Sequence, residues 1–311
     1  MSQGNSAGEA VNCICQEPPS LTIGSSLLDT FAAVREKCPA LKELFVPDDI
    51  WPKVYNWHLW SDDETHHESA LLLALGRGHL SSITSPVHRY LLESGRINPR
   101  VRKQYINDLQ EKWMDYSDPL ERHEKFRMFY GRVVELQCAE WLERHGWGIS
   151  DLEAFRETGS DIEAKNASGD LTAFEVKFIG QDNDGFGTVL KGFRGEDAYG
   201  RSSLDLAANY LLYRVYQAAE QLQRSAASTR IALVVIDDTY DTFERLLKGR
   251  WINWANPTFV NVYDPFIERE REKNPNLDTE LKVILGSIND VWILKRSSGN
   301  QFQLMFSQRS K

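Results

Sequence analysis

From about residue 21 to residue 116, apolar positions recur at three- and four-residue intervals, as amphipathic helices require, and no convincing strand interrupts them. Leu27-Leu28, Phe31, Val34, Leu41 and Leu44-Phe45 are spaced for one or two helices, while Trp51, Val54, Trp57 and Trp60 recur every three residues. This predicts a small aromatic-rich helical domain whose tryptophans belong to its core. A sharp start signal follows at Ser117-Asp118-Pro119-Leu120-Glu121: Asp118 suits the cap, Pro119 the first helical position, and Glu121 completes a capping box. One long helix then runs to Gly146, a plausible left-handed stop, with Gly131 as a point where it can bend.

Beyond Gly146 the pattern changes to short strands, around Gly148 to Asp151, Asp161 to Lys165 and Leu171 to Ile179. A Gly-rich stretch, GQDNDGFGTVLKGFRGEDAYGRSS, separates them from a strong helix at about Leu204 to Ser225. The apolar strand Arg230 to Ile236, a short helix near Thr242 to Lys248, a strand at Phe259 to Tyr263 and a final hairpin turning at Ser297-Ser298-Gly299-Asn300 complete the expectation. Helix, three strands, helix and strand imply an α/β (α+β) fold, a mixed central sheet with helices packed on it. The predicted organisation is a disordered tail (1–20), a helical N-terminal domain (21–116) and a second domain (117–311).

Composition narrows the function classes. The chain has 311 residues and a formal net charge of −9, which argues against coating nucleic acid by overall attraction but leaves room for a local basic groove. The longest apolar runs, at Ala70 to Leu75 and Ile231 to Ile236, fall far short of the roughly 20 residues of a membrane helix. The N-terminus lacks the basic start and apolar stretch of a secretory signal. Cys13, Cys15, Cys38 and Cys138 form no paired C-x-x-C units, so free thiols in a cytoplasmic protein are expected.

Candidate chemistry concentrates in DIEAKNASGDLTAFEVK, which holds Glu-x-Lys twice, at Glu163-Ala-Lys165 and Glu175-Val-Lys177. A hairpin centred on Ser168 sets Asp161 opposite Glu175, with Cβ atoms about 4.5 to 5.5 Å apart. The two-residue period puts Lys177 on their face and Phe174, Val176 and Phe178 on the other. Two carboxylates so close repel unless a cation sits between them, and a hard divalent ion such as Mg²⁺ favours such oxygens. A neighbouring ammonium can orient a water and stabilise charge on a phosphate, so the set suits phosphodiester hydrolysis. A salt-bridged, solvent-facing hairpin is the competing reading. Glu163-Ala-Lys165 is the weaker copy, because modest Ile162 and Ala164 flank it where Phe174, Val176 and Phe178 flank the other. On the long helix, Glu135 has Met128, Gly131, Cys138, Ala139 and Leu142 as face neighbours, so it points toward the sheet. It is either a further acid of the site or an ion-pair partner of Arg132.

In this order of elements, GRVVELQCAEWLERHGW with Glu135, GSD with Asp161 and FEVK with Glu175 and Lys177, the chain resembles the PD-(D/E)xK nucleases. The resemblance covers about residues 119 to 236, and Ser160 stands where the motif has proline. It implies a restriction-endonuclease-like fold, Asp161 and Glu175 as metal ligands, Lys177 as the catalytic lysine and Glu135 as an auxiliary acid holding a metal or its water. Mg²⁺ is the expected ion, with Mn²⁺ as its substitute. Some members carry a glutamine on the crossing helix, where Gln217 and Gln221 stand. The resemblance further implies DNA as substrate and a homodimer; restriction, anti-phage defence, repair and mobile-element processing are all open as settings, and the helical N-terminal domain is expected to regulate, to engage a partner subunit or to dimerise. An RNase or toxin of the same superfamily, and an inactive nucleic-acid-binding scaffold, are the alternatives.

The long loop with Lys191, Arg194 and Arg201 reads as a basic, substrate-facing segment. His66-His67-Glu68 reads as helix surface, since adjacent histidines on a helix point about 100° apart. No phosphate-binding loop is present, because the Gly-x-x-x-x-Gly-Lys-Ser/Thr pattern is missing.

Overall fold

The computed structural model describes residues 27–46, 48, 80–93, 97, 99–114, 119–155, 160–180, 201–237, 242–249, 252–296 and 302–309. The tail, Trp51, Val54, Trp57, Trp60, His66-His67-Glu68, Lys191, Arg194, the Arg201 side chain and the turn at 297–300 lie outside the described residues.

Six strands form one mixed sheet in sequence order: β1 (Gly148–Phe155), β2 (Ser160–Lys165), β3 (Leu171–Gly180), β4 (Thr229–Asp237), β5 (Asp290–Arg296) and β6 (Phe302–Arg309). The pairs β1–β2, β2–β3 and β5–β6 are antiparallel, and β3–β4 and β4–β5 are parallel. The parallel centre explains the apolar run of β4. With helices on both faces, Ile231, Leu233 and Val235 bury on one side and Ala232, Val234 and Ile236 on the other.

One face packs on α4 (Pro119–Arg144) and on the helices that precede it, α1 (Leu27–Lys37), α2 (Leu80–Val87) and α3 (Pro99–Met114). Two short π-helical turns, Ala40–Phe45 and His88–Glu93, follow α1 and α2. Phe31, Leu41, Tyr105 and Leu109 join Val134, Leu142, Phe174 and Leu233 in a single apolar cluster. The helices before residue 117 thus share their core with α4 and the sheet. Against the opposite face lies α5 (Arg201–Leu222), with α6 (Thr242–Lys248), α7 (Pro265–Lys273) and α8 (Leu277–Leu285) around it.

Local signals account for the ends that matter. At the α4 terminus, Gly146 takes φ of 85°, its N–H donates to Glu143 O at 3.0 Å, and Trp147 N–H donates to Leu142 O at 3.0 Å. That pair of bonds satisfies carbonyls the helix would leave open, and only glycine adopts this backbone without steric cost. It also delivers Trp147 onto Phe174 of β3, ring centroids 5.2 Å apart.

One expectation needs correction, and two helices went unforeseen. Phe259 to Tyr263 is not a strand: Asn209 of α5 accepts from Val260 N–H at 2.6 Å and donates to Val260 O at 3.3 Å, so a helix side chain takes the bonds that a sheet partner would have made. The helices α7 and α8 carry no sequence expectation above. Yet Asp264-Pro265 repeats the start signal of Asp118-Pro119, and Asp264 Oδ1 accepts from Phe266 N–H at 3.0 Å and Ile267 N–H at 3.2 Å. Among the described residues, no helix is long and apolar enough to cross a membrane.

Candidate active site

The hairpin β2–β3 closes through Asn166, whose side-chain oxygen accepts from Ser168 N–H and Asp170 N–H, both at 2.9 Å, while Gly169 turns with φ of 86°. This turn fixes the register. Lys165 pairs with Leu171, Glu163 with Ala173 and Ile162 with Phe174, as a hairpin centred on Ser168 demands. Ile162–Phe174 is the last regular pair. One step further, the Asp161 side chain replaces the backbone ladder: its Oδ2 accepts from Val176 N–H at 2.8 Å. Asp161 is thereby held beside Glu175 by a bond to the strand that carries Glu175.

The acid-bearing face is not a solvated one. Glu175 is only 3 % exposed, and its neighbours on the same face, Ala173 and Ile179, pack beneath α5. Lys177 Nζ donates to Glu175 Oε1 at 2.7 Å and to Gln221 Oε1 of α5. An ammonium carries three hydrogens, so two fixed acceptors leave one to offer elsewhere. The covering helix orients the ion pair and leaves Lys177 part-buried.

Electrostatics set this cluster apart. Burial pushes the Asp161 carboxyl well above its ordinary range, and the charges of Glu175 and Glu135 push it further, against the pull of Lys177 and the Val176 N–H. Burial also raises Glu175. Lys177 opposes that rise and Glu135 adds to it. Without a further cation, the two carboxyls compete for the same proton.

Glu135 projects from α4 toward the same place, and its charge acts on both Asp161 and Glu175. Its Oε2 accepts from Tyr105 Oη at 2.6 Å and from Arg132 Nη1 at 2.9 Å. Glu135 is therefore paired with Arg132, and its charge reaches the acids as well. Cys138, one turn further on, is fully buried with its thiol pushed up, by burial first and then by the charges of Glu135 and Asp161.

The structure brings together Asp161, Glu175, Lys177, Glu135 and Gln221. It does not bring Gln217 to the lysine, since Gln217 Oε1 accepts from Arg214 Nη1 at 3.0 Å. Glu163 and Lys165 lie outward on the hairpin. Glu163 pairs across with Asp151 of β1 and is raised by burial and then by the Asp151 charge, and Lys165 is exposed. The sequence reasoning missed Tyr105. Its signal was available, because a tyrosine on the buried face of a helix needs a partner for its hydroxyl.

As ligands for a hard divalent cation, the donor chemistry fits. Asp161 and Glu175 supply adjacent carboxylate oxygens whose repulsion a cation would relieve, and Mg²⁺ is commonly bound by one or two carboxylates with waters and substrate phosphates completing its shell. Among the described residues, no group of three or more His, Cys, Asp or Glu side chains forms a preassembled cage. The fit is thus that of an open, two-carboxylate site. In comparisons with known proteins, no protein-family model matches the chain, and no curated protein or solved structure matches it significantly.

Proposed function

We propose that the chain is a metal-dependent nuclease of the PD-(D/E)xK type, with a restriction-endonuclease-like fold, hydrolysing phosphodiester bonds in DNA. The observation that carries this reading is the half-buried Asp161 beside the buried Glu175, with the Lys177 ammonium fixed on Glu175 at 2.7 Å. A structural ion pair needs one acid for one lysine. A second carboxyl, placed so that both acids are hard to ionise, costs stability and serves a purpose only where a cation is to be held.

Asp161 and Glu175 would hold Mg²⁺ or Mn²⁺, with Glu135 supporting the ion or its water. When bound, the ion supplies a water acidic enough to attack phosphorus and a positive charge on the phosphate oxygens. Lys177, steered by Glu175 and Gln221, has one N–H left to orient that water or to meet the negative charge that gathers on the phosphoryl oxygens. The new bond joins the water oxygen to phosphorus, the P–O bond to the sugar breaks, and a proton is returned to the leaving oxygen. Burial under α5 keeps Lys177 at 15 % exposure, where its charge is weakly screened.

The basic residues Lys191, Arg194 and Arg201 would contact the backbone of the nucleic acid. An inactive scaffold would retain no need for the acid pair, which disfavours that alternative. The test is a panel of labelled duplex DNA, single-stranded DNA and RNA incubated with Mg²⁺ or EDTA. Cleavage of DNA that EDTA abolishes is expected. Cleavage of RNA alone would move the reading to an RNase, and cleavage unaffected by EDTA would overturn the metal-dependent mechanism.

A further inference from the structure

The role of the helices that precede residue 117 can be read at Glu135. A carboxylate placed near two others is pushed away by their charge, and on a helix surface it has rotamers that lead to solvent. Glu135 does not swing out, because both donors that reach it bind the same oxygen. Tyr105 Oη donates to Oε2 at 2.6 Å, and Arg132 Nη1 donates to Oε2 at 2.9 Å. The donors support one another, since the Arg132 guanidinium lies 5.0 Å from the centre of the Tyr105 ring. Tyr105 itself is fully buried in the cluster that joins α3 to α4 and the sheet.

The other oxygen is treated differently. Among the described residues, Oε1 of Glu135 accepts no hydrogen bond. The side chain is 13 % exposed, and its charge is felt by both Asp161 and Glu175. A carboxylate clamped through one oxygen and open at the other is the arrangement expected of an acid that offers its second oxygen to a cation or to a cation's water.

We propose that Tyr105 is a positioning residue of the active site, its hydroxyl holding Glu135 where it would meet the water of a cation bound by Asp161 and Glu175. This rests on the metal-dependent reading of Asp161 and Glu175. It makes the helices before residue 117 part of the catalytic centre, and their displacement by a partner would weaken the site.

The test uses the full chain and Mn²⁺ alone, with bound and free ion measured by electron paramagnetic resonance. Tyr105→Phe removes the hydroxyl and keeps the ring that fills the core. The expected result is about tenfold weaker Mn²⁺ binding in Tyr105→Phe. In a Glu135→Gln background, adding Tyr105→Phe should bring no further loss, because the residue acts through the carboxylate. Equal affinity in wild type and Tyr105→Phe overturns the proposal and leaves the metal reading intact. A loss of the same size in both backgrounds also overturns it, since that marks a general packing defect. Failure of the wild type to bind Mn²⁺ overturns the metal reading, and this proposal with it.

Discussion

Replacing Asp161 separates what its carboxylate does for the fold from what it does for a cation. Asp161→Asn keeps an oxygen for the Val176 N–H, which Oδ2 meets at 2.8 Å, and deletes the negative charge. Two unit charges about 5 Å apart repel by roughly 3 kcal/mol at an effective dielectric constant of about 20, an upper bound because Lys177 already sits on Glu175. Without divalent ions at pH 7.5, Asp161→Asn is therefore expected to be more stable than wild type by about 1–2 kcal/mol. Asp161→Ala gains the same relief but leaves a buried N–H unpaired, at a cost of about 1–3 kcal/mol, and so falls below the Asn variant. Urea unfolding in EDTA, followed by fluorescence of the nine tryptophans, gives both differences. The pH dependence has a definite sign. Asp161 is raised from 3.8, so the folded chain binds its proton more tightly than the unfolded chain, and the wild-type penalty is absent below about pH 3.8 and grows as pH rises. The advantage of Asp161→Asn should be small at pH 4 and larger at pH 7.5. Saturating Mg²⁺ should then stabilise wild type, by about 2.7 kcal/mol at a hundred times Kd, and neither variant. An Asn variant less stable than wild type in EDTA at pH 7.5 would refute the like-charge argument.

Further outcomes follow from other positions. Lys177→Ala should retain Mn²⁺ binding but lose at least about 10²-fold in nucleic-acid cleavage, read on a labelled duplex. Gly146→Ala forces a side chain to φ of 85°, and should lower stability by about 1–2 kcal/mol in urea unfolding while leaving cation affinity unchanged. Asp264→Ala removes the cap of α7 and a hydrogen bond from Asn209, and should cost about 2 kcal/mol by the same assay. Gln221→Leu should reduce cleavage without altering Mn²⁺ affinity, since Gln221 touches the lysine and not the carboxylates.

What was legible in the sequence was whatever local chemistry determines. The turn Asn166 to Gly169 sets one register, and that register alone puts Asp161 beside Glu175, so the acid pair could be found without coordinates. The helix ends at Pro119 and Gly146 were similarly visible, while the expected cap Asp118 lies outside the described residues; the same Asp-Pro signal at Asp264-Pro265 was available for α7. Long-range contacts were not. The period-two pattern of β3 marks Glu175 and Lys177 as one face, but it cannot say that α5 covers that face and buries Glu175 beneath it. Nothing near Val260 in sequence announces that Asn209, far upstream, takes its backbone bonds. Tyr105 and Glu135 lie on different helices, and only the packing of α3 on α4 joins them.

The central claim is that Asp161, Glu175 and Lys177 form a cation-dependent phosphodiester-cleaving centre. The most direct measurement is cleavage of end-labelled duplex DNA by the purified chain with Mg²⁺, beside Lys177→Ala with Mg²⁺ and the wild type in excess EDTA. Product is expected in the first reaction and none above background in the other two. Equal cleavage in all three would contradict it.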